Sequence, residues 1–396
     1  MSHSLSSTTS RIQSIDLLRG WVMIIMALDH VRDYFHADAF LFNPLDIDKT
    51  NAALFATRWI THFCAPVFVF LAGTSAFMVG SRKGKKELSL FLLKRGLWLI
   101  ILEFTVINFA WFANIEFSLL ALTVIWALAL GMIFLSVAVY FPFWLTLSLG
   151  LVMVLGHNLL DSIHVTEDGI AAVGWALLHE QYGFQMGHFF VFVGYPILPW
   201  AGVMYLGYCL GALYKPEMAP AERKRKLIVM GTAMIVAFVL IRALNIYGDP
   251  FPWSHQNEDI QTFLSFMNVT KYPPSLLYLL STLGPSFLFL AFTEKSSDKI
   301  SNNVTALGRV PMFYYVVHLY LIHALALLAA LATGFNASDM VFNTWITDSP
   351  NLRGYGFSLT VVYLVWIAVV AIIFPLCLWY DRYKVAHREK WWLSYL

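Results

Sequence analysis

Ten stretches of the chain stay apolar over roughly 20 residues, the length a helix needs to cross a hydrocarbon core about 30 Å thick. They lie near 17–36, 58–80, 90–112, 118–139, 141–160, 189–213, 227–247, 274–293, 307–332 and 357–380. The pattern predicts an all-α fold, a polytopic membrane bundle of about ten transmembrane helices. Pro66, Pro196, Pro199, Pro285 and Pro311 interrupt several of these runs, which a membrane helix tolerates where neighbouring helices or water satisfy the freed backbone groups. No internal repeat or heptad seam accompanies them, so an inverted-repeat architecture gains no support.

The polar positions between the runs set an orientation. Basic residues collect at Arg82, Lys83, Lys85 and Lys86, at Arg223 to Lys226, at Lys295 and Lys299, and at Arg382, Lys384, Arg388 and Lys390. With ten spans and a cytoplasmic N-terminus all four clusters fall on the cytoplasmic side, and one missed span would separate them. Both termini are therefore expected inside. The long connections near 37–57, 161–188, 248–273 and 333–356 then lie outside, as a cap over the helices. The expected organisation is a flexible cytoplasmic tail over 1–14, a single membrane domain over 15–381 and a cytoplasmic tail over 382–396. The first run ends in Asp29-His30-Val31-Arg32-Asp33 rather than a small-residue cleavage site, so no cleaved signal peptide is expected.

Composition narrows the class further. Of 396 residues 59% are hydrophobic and only 13% charged, about half the charged share of a soluble chain. The mean hydropathy is +0.66. A net charge of +2 in short scattered clusters argues against a nucleic-acid partner. Cys64, Cys209 and Cys377 each sit inside an apolar run with no near partner, so neither a disulfide framework nor a thiolate metal site is indicated.

Ionisable side chains inside spans are costly and by default mark a functional pathway. Of twelve histidines, His3 and His387 are in the tails; His30, His36, His62, His157, His164, His179, His188, His255, His318 and His323 all map to the outer half or outer loops. At 1.5 Å rise per residue, His30 stands roughly 20 Å along the first span and His318 roughly 17 Å along the ninth, and His62 enters from the opposite end at a similar depth. Asp29, Arg32, Asp33 and His36 form one polar stripe at i, i+3, i+4 and i+7, and Arg58 stacks on His62 at i, i+4. Any one of these histidines reads more readily as a helix-to-helix hydrogen bond or an interfacial residue near water. Taken together, His30, His62 and His318 suit proton removal from an incoming hydroxyl or amine near neutral pH. Asp29 would orient an imidazole, and Arg32, Arg58, Lys271 and His323 are assigned to the acceptor. No metal is expected, because His318 and His323 do not share a helix face and no HExxH or paired i, i+4 histidine occurs.

Asp16, Arg19, Arg95 and Arg309 lie toward the cytoplasmic ends. Asp16 and Arg19 are one turn apart and suit a pair; guanidinium groups at a mouth also suit phosphates, as in a coenzyme A head group, and no Walker loop or GxGxxG element offers another cradle.

The string Arg11 to Gly20, continuing through Met26-Ala27-Leu28-Asp29-His30-Val31-Arg32-Asp33, resembles the bacterial DUF1624 family, classed with the catalytic domain of heparan-alpha-glucosaminide N-acetyltransferase. Arg58 to Gly73, Lys271 to Pro274 and Gly308 to His323 are similar to the same family. The resemblance implies a transmembrane acyltransferase that takes acetyl-CoA from the cytoplasm as co-substrate and delivers the acetyl group to an amino sugar on the far side. The Asp-x-x-Arg-Gly start shared by related membrane acyltransferases is Asp16 to Gly20 here. The eukaryotic branch carries its catalytic histidine in the first external loop; His36 lies in that region, and His30 and His62 flank it.

The reading is an acetyl-CoA-dependent acyltransferase of a bacterial inner membrane, acting on a sugar hydroxyl or amine of an extracytoplasmic glycan or glycolipid. His30 or His62 is its base and His318 assists; Arg19, Arg309 and Arg95, with Asp16, bind the donor. No tightly bound cofactor is expected. The partners are the lipid bilayer, the glycan or glycolipid acceptor and, as an open alternative, a second copy in a homodimer. The rival is a proton-coupled transporter or exporter using the same histidines as a relay.

Overall fold

A computed structural model describes residues 12–165, 169–296, 298–387 and 389–394. Most of the tail read at 1–14 lies outside them. The chain is mostly helical. In order it forms α1 (Gln13–Phe35), α2 (Ala52–Ile60), α3 (Cys64–Lys83), α4 (Lys85–Leu102), α5 (Asn108–Phe112), β1 (Leu119–Leu122), α6 (Val124–Ala138), α7 (Phe143–Gly156) and α8 (Ile170–Leu178). There follow β2 (Tyr182–Met186), β3 (Phe189–Val193), α9 (Ile197–Leu210), α10 (Pro220–Leu244), α11 (Asp259–Met267), α12 (Leu276–Thr293), α13 (Lys299–Arg309), α14 (Pro311–Ala332) and α15 (Leu359–Ala386).

Among the described residues seven helices are long and apolar enough to cross a membrane: Ala52–Lys83, Phe143–Leu160, Ile197–Tyr214, Pro220–Leu244, Leu276–Thr293, Pro311–Ala332 and Leu359–Ala386. Val124–Ala138 is apolar but shorter. The segments read at 17–36 and 90–112 fall on α1 and on α4 with α5, which carry more charge. An integral membrane protein follows.

Two of the predicted spans need correction, and with them the all-α class. The segment read at 118–139 starts as β1, and that at 189–213 starts as β3; β1 pairs in parallel with β3, which pairs antiparallel with β2. Phe189-Phe-Val-Phe-Val is built of aromatic and β-branched residues, and an apolar run of that length does not by periodicity alone separate strand from helix. The tail read from 382 is also helical at first, since α15 continues to Ala386.

The prolines explain themselves. Pro311 opens α14, Pro196 precedes α9, and Pro199 and Pro66 lie in first turns, where a missing N–H costs little. Pro66 has a further effect. It cannot donate to the carbonyl four residues back, that of His62, and this carbonyl instead accepts from the Tyr278 hydroxyl at 2.8 Å, tying α12 to the turn that joins α2 and α3. Only Pro285 and Pro375 stand inside helices among the described residues.

Close backbone approach holds the bundle where hydrocarbon supplies no drive for helices to associate. A Cβ at Gly207 would lie 2.0 Å from the Phe70 carbonyl oxygen, and one at Gly73 would lie 2.1 Å from that of Met204. Both contacts belong to the α3–α9 seam, so Gly207→Ala has to push the two helices apart. It is expected to cost about 1–3 kcal/mol, read as a lower melting temperature in detergent, against an unchanged Gly156→Ala control that meets open space. An unchanged melt for Gly207→Ala would contradict this packing.

The connections predicted to form a cap gather beyond the C-terminal end of α1. Phe357 N–H donates to Phe35 O at 2.7 Å and its carbonyl accepts from Ala37 N–H at 3.1 Å; Phe342 N–H donates to Phe112 O at 2.9 Å. Arg242, buried on α10, donates to the carbonyls of Phe251, Ser265, Phe266 and Asn268 and so fixes the 248–270 connection.

Candidate functional site

Two cavities are stacked along α1. The larger, about 1180 Å³, lies at its C-terminal end and is walled by Asp29, His30, Arg32 and Asp33 from the helix, by Arg58, Lys271 and Tyr272, and by cap segments at 39–44, 181–194 and 343–353. The smaller, about 280 Å³, lies in its N-terminal half and is lined by Arg19, Met23, Met26, Ser75, Arg95 and apolar side chains of α3, α4, α6 and α14. Val124 and Tyr315 line both, so the cavities abut there. Arg19 and His30 stand eleven residues apart on one helix, about 17 Å.

A histidine pair reaches the larger cavity through His30. His30 Nδ1 lies 2.7 Å from His318 Nε2, and His318 Nδ1 lies 2.9 Å from the Tyr314 carbonyl oxygen. A carbonyl can only accept, so His318 carries its proton on Nδ1, which leaves its Nε2 as an acceptor. His30 must then donate from Nδ1, and its Nε2 holds the lone pair. The pair is thus a directed chain that ends in a basic nitrogen on the residue that lines the cavity. Trp111 packs its ring edge on His30 at 4.6 Å between centroids, and Tyr315 stands 6.3 Å away. His318 is fully buried behind them.

Around the pair is a charge cluster. Asp29 accepts from Arg58 Nη1 with both oxygens, at 2.9 and 2.8 Å, and pairs with Arg32 at 3.0 Å and with Lys271 at 3.9 Å. Arg32 also reaches Asp33 at 2.5 Å. Asp29 is therefore occupied by cations; the expectation that it orients an imidazole is corrected, since His318 does so. With Asp348 and Arg353, four cations and three carboxylates line the cavity among the described residues, which leaves it net positive. Lys271 Nζ sits 5.1 Å over the Tyr272 ring. Burial alone would raise the Tyr272 phenol, yet Lys271 and Arg58 beside it hold it below its ordinary value.

The other predicted site residues separate into three groups. His62 is fully buried and lines neither cavity; it stands in the turn Thr61–Phe63, 5.2 Å from the Tyr278 ring, and neither ring nitrogen has a hydrogen-bond partner among the described residues. His323 lies outside the cavity lining too, with its nitrogens 3.0 and 2.9 Å from the carbonyls of Ala110 and Met340. Neither is brought to the His30 pair, so the assignment of His323 to the acceptor loses its geometry. In the smaller cavity, Arg19 pairs with Asp16 at 3.2 Å and donates to Leu71 O at 2.7 Å and Ser75 Oγ at 2.5 Å. Arg309 does not line it; its guanidinium is taken by Asp381 on α15.

Trp111 and Trp345 carry no signal in the sequence, and Tyr272 and Tyr315 stand in strings that read as a helix start and as packing or ligand contact. Tyr315 belongs to the aromatic string Phe313-Tyr314-Tyr315, where an aromatic reads as packing; its only signal was one turn's distance from His318.

No curated protein matches the chain. The family described as heparan-alpha-glucosaminide N-acetyltransferase, catalytic, matches residues 11–248, which include Asp16, Arg19, Asp29, His30, Arg58 and Trp111 and stop short of Lys271 and His318. That match spans more than half of the sequence, and with it the chain belongs to the family of the heparan-alpha-glucosaminide N-acetyltransferase catalytic domain.

Proposed function

We propose that the protein moves an acetyl group from cytoplasmic acetyl-CoA to a hydroxyl or amine of an extracytoplasmic glycan or glycolipid, across ten membrane crossings with both termini inside, in a bacterial inner membrane. The observation that carries this is the pair of cavities meeting at Val124 and Tyr315, one with guanidinium groups at Arg19 and Arg95, the other with the His30–His318 chain. The smaller cleft, about 280 Å³ and lined mostly by apolar side chains with Arg19 and Arg95, suits an extended pantetheine arm with the phosphates near the two guanidinium groups. The thioester then reaches Tyr315. In the larger cavity His30 Nε2 removes the proton as the acceptor oxygen or nitrogen bonds to the acetyl carbon, the C–S bond breaks, and the thiolate leaves with a proton. The same nitrogen would carry the group in a two-step route. The net positive lining favours an acceptor with an anionic group nearby.

Calorimetry of acetyl-CoA on the detergent-solubilised protein tests the donor. Arg19→Ala and Arg95→Ala are each expected to weaken binding by about 1.5–3 kcal/mol, as loss of a charged hydrogen bond does. Arg309→Ala is expected to leave it unchanged, because Arg309 lies outside the cleft. No saturable binding to folded protein would overturn the donor and favour the transporter, which predicts proton-gradient-driven flux with no acetylated product.

A further inference from the structure

A second histidine cluster lies away from both cavities. His157 and Asp161 close α7, where the chain turns through His157–Leu160, and His179 ends α8. One ligand atom from each of the three residues falls within 4.8 Å of the others. His179 Nε2 is 3.1 Å from Asp161 Oδ1, which by itself is an ordinary, partly buried hydrogen bond. His157 does not fit that reading. It is only 2% exposed, and among the described residues neither of its nitrogens has a hydrogen-bond partner, nor does His179 Nδ1. A buried imidazole with both nitrogens unsatisfied is costly in a protein interior, and it faces an imidazole and a carboxylate.

We propose that His157, Asp161 and His179 bind a divalent transition-metal cation of the zinc class, through two imidazoles and one carboxylate with a fourth position open. Imidazole and carboxylate are the donors such a cation takes at about 2.0–2.2 Å, so small side-chain adjustments draw the set together. Asn158 supplies the outer support: its Nδ2 donates to Asp161 Oδ2 at 2.7 Å, and its Oδ1 accepts from Leu276 N–H at 2.9 Å. The cation would clamp the end of α7 to α8 and, through Asn158, to the start of α12. Gln181 and Gly183, just past His179, and Tyr272, just before α12, line the larger cavity, so the clamp braces two of its walls.

The test uses the full chain in detergent with any affinity tag removed, stripped with EDTA, loaded with Zn(II), desalted and analysed by mass spectrometry for metal, with Co(II) absorption as the second readout. The wild type is expected to retain one Zn(II) per chain and to give a four-coordinate Co(II) spectrum. His157→Ala and His179→Ala lose the retained metal, Asn158→Ala weakens binding by about 10–100-fold, and His164→Ala, which removes the nearby exposed His164–Glu180 pair, changes nothing. Substoichiometric metal in the wild type overturns the site, as does retention in the two histidine variants or loss only in His164→Ala. Should the alanine variants fail to fold, the wild-type stoichiometry and Co(II) spectrum decide the matter alone.

Discussion

On the proposed reaction, His30→Gln is expected to lower the turnover of acetyl transfer by about 10²–10⁴-fold while acetyl-CoA binds as it does to the wild type. Glutamine keeps a donor that can reach His318 but offers no nitrogen able to take a proton, so packing is preserved and the base is removed. The readout is labelled acetyl transferred to glucosamine or a glucosamine-containing oligosaccharide, beside calorimetry of the donor. His318→Gln is expected to fall in the same direction by less, because it frees the His30 tautomer without removing the base. Near-normal turnover in His30→Gln would move the base elsewhere; His62 is buried and lines neither cavity.

That His30 and His318 meet was partly legible in the sequence, and the reason it was only partial is physical. Counting 1.5 Å per residue gives the height of a side chain along a span, and it placed His30, His318 and His62 at one level. It does not give azimuth. In a soluble helix the polar face reveals which way a residue points, but in a membrane helix the faces toward lipid and toward protein are both apolar. The height was right for the pair that touches at 2.7 Å, while His62 points toward Tyr278 instead. Arg309 shows the same limit. Its partner Asp381 is 72 residues away, beyond any local spacing, whereas the Asp16–Arg19 pair at i, i+3 was visible at once. The sheet was hidden because an apolar strand and the start of an apolar helix are the same pattern over five residues. The apolar segments themselves needed no tertiary information, and each of the ten falls on helix for most of its length.

Asp29→Ala is the substitution expected to disturb the fold most. Its carboxylate joins Arg58 from α2, Arg32 from α1 and Lys271 from the connection before α12, and all three cations have side chains no more than 11% exposed. Removing one partner of such a buried cluster leaves charge uncompensated, at a cost of about 3–5 kcal/mol, read as a lower melting temperature in detergent. Asp33 remains, but it is already engaged by Arg32. The double variant Asp29→Asn with Arg58→Gln removes one charge of each sign and is expected to recover most of that loss, since neutralising a buried pair is far cheaper than orphaning half of it. Activity separates structure from chemistry here. If the cluster serves only to hold α1, α2 and the Lys271 connection together, the recovered double variant transfers acetyl groups as the wild type does. If Arg58 itself meets the acceptor, the double variant melts like the wild type, keeps the same net charge in the cavity and still shows a raised KM for the acceptor, with kcat retained by the untouched His30–His318 pair.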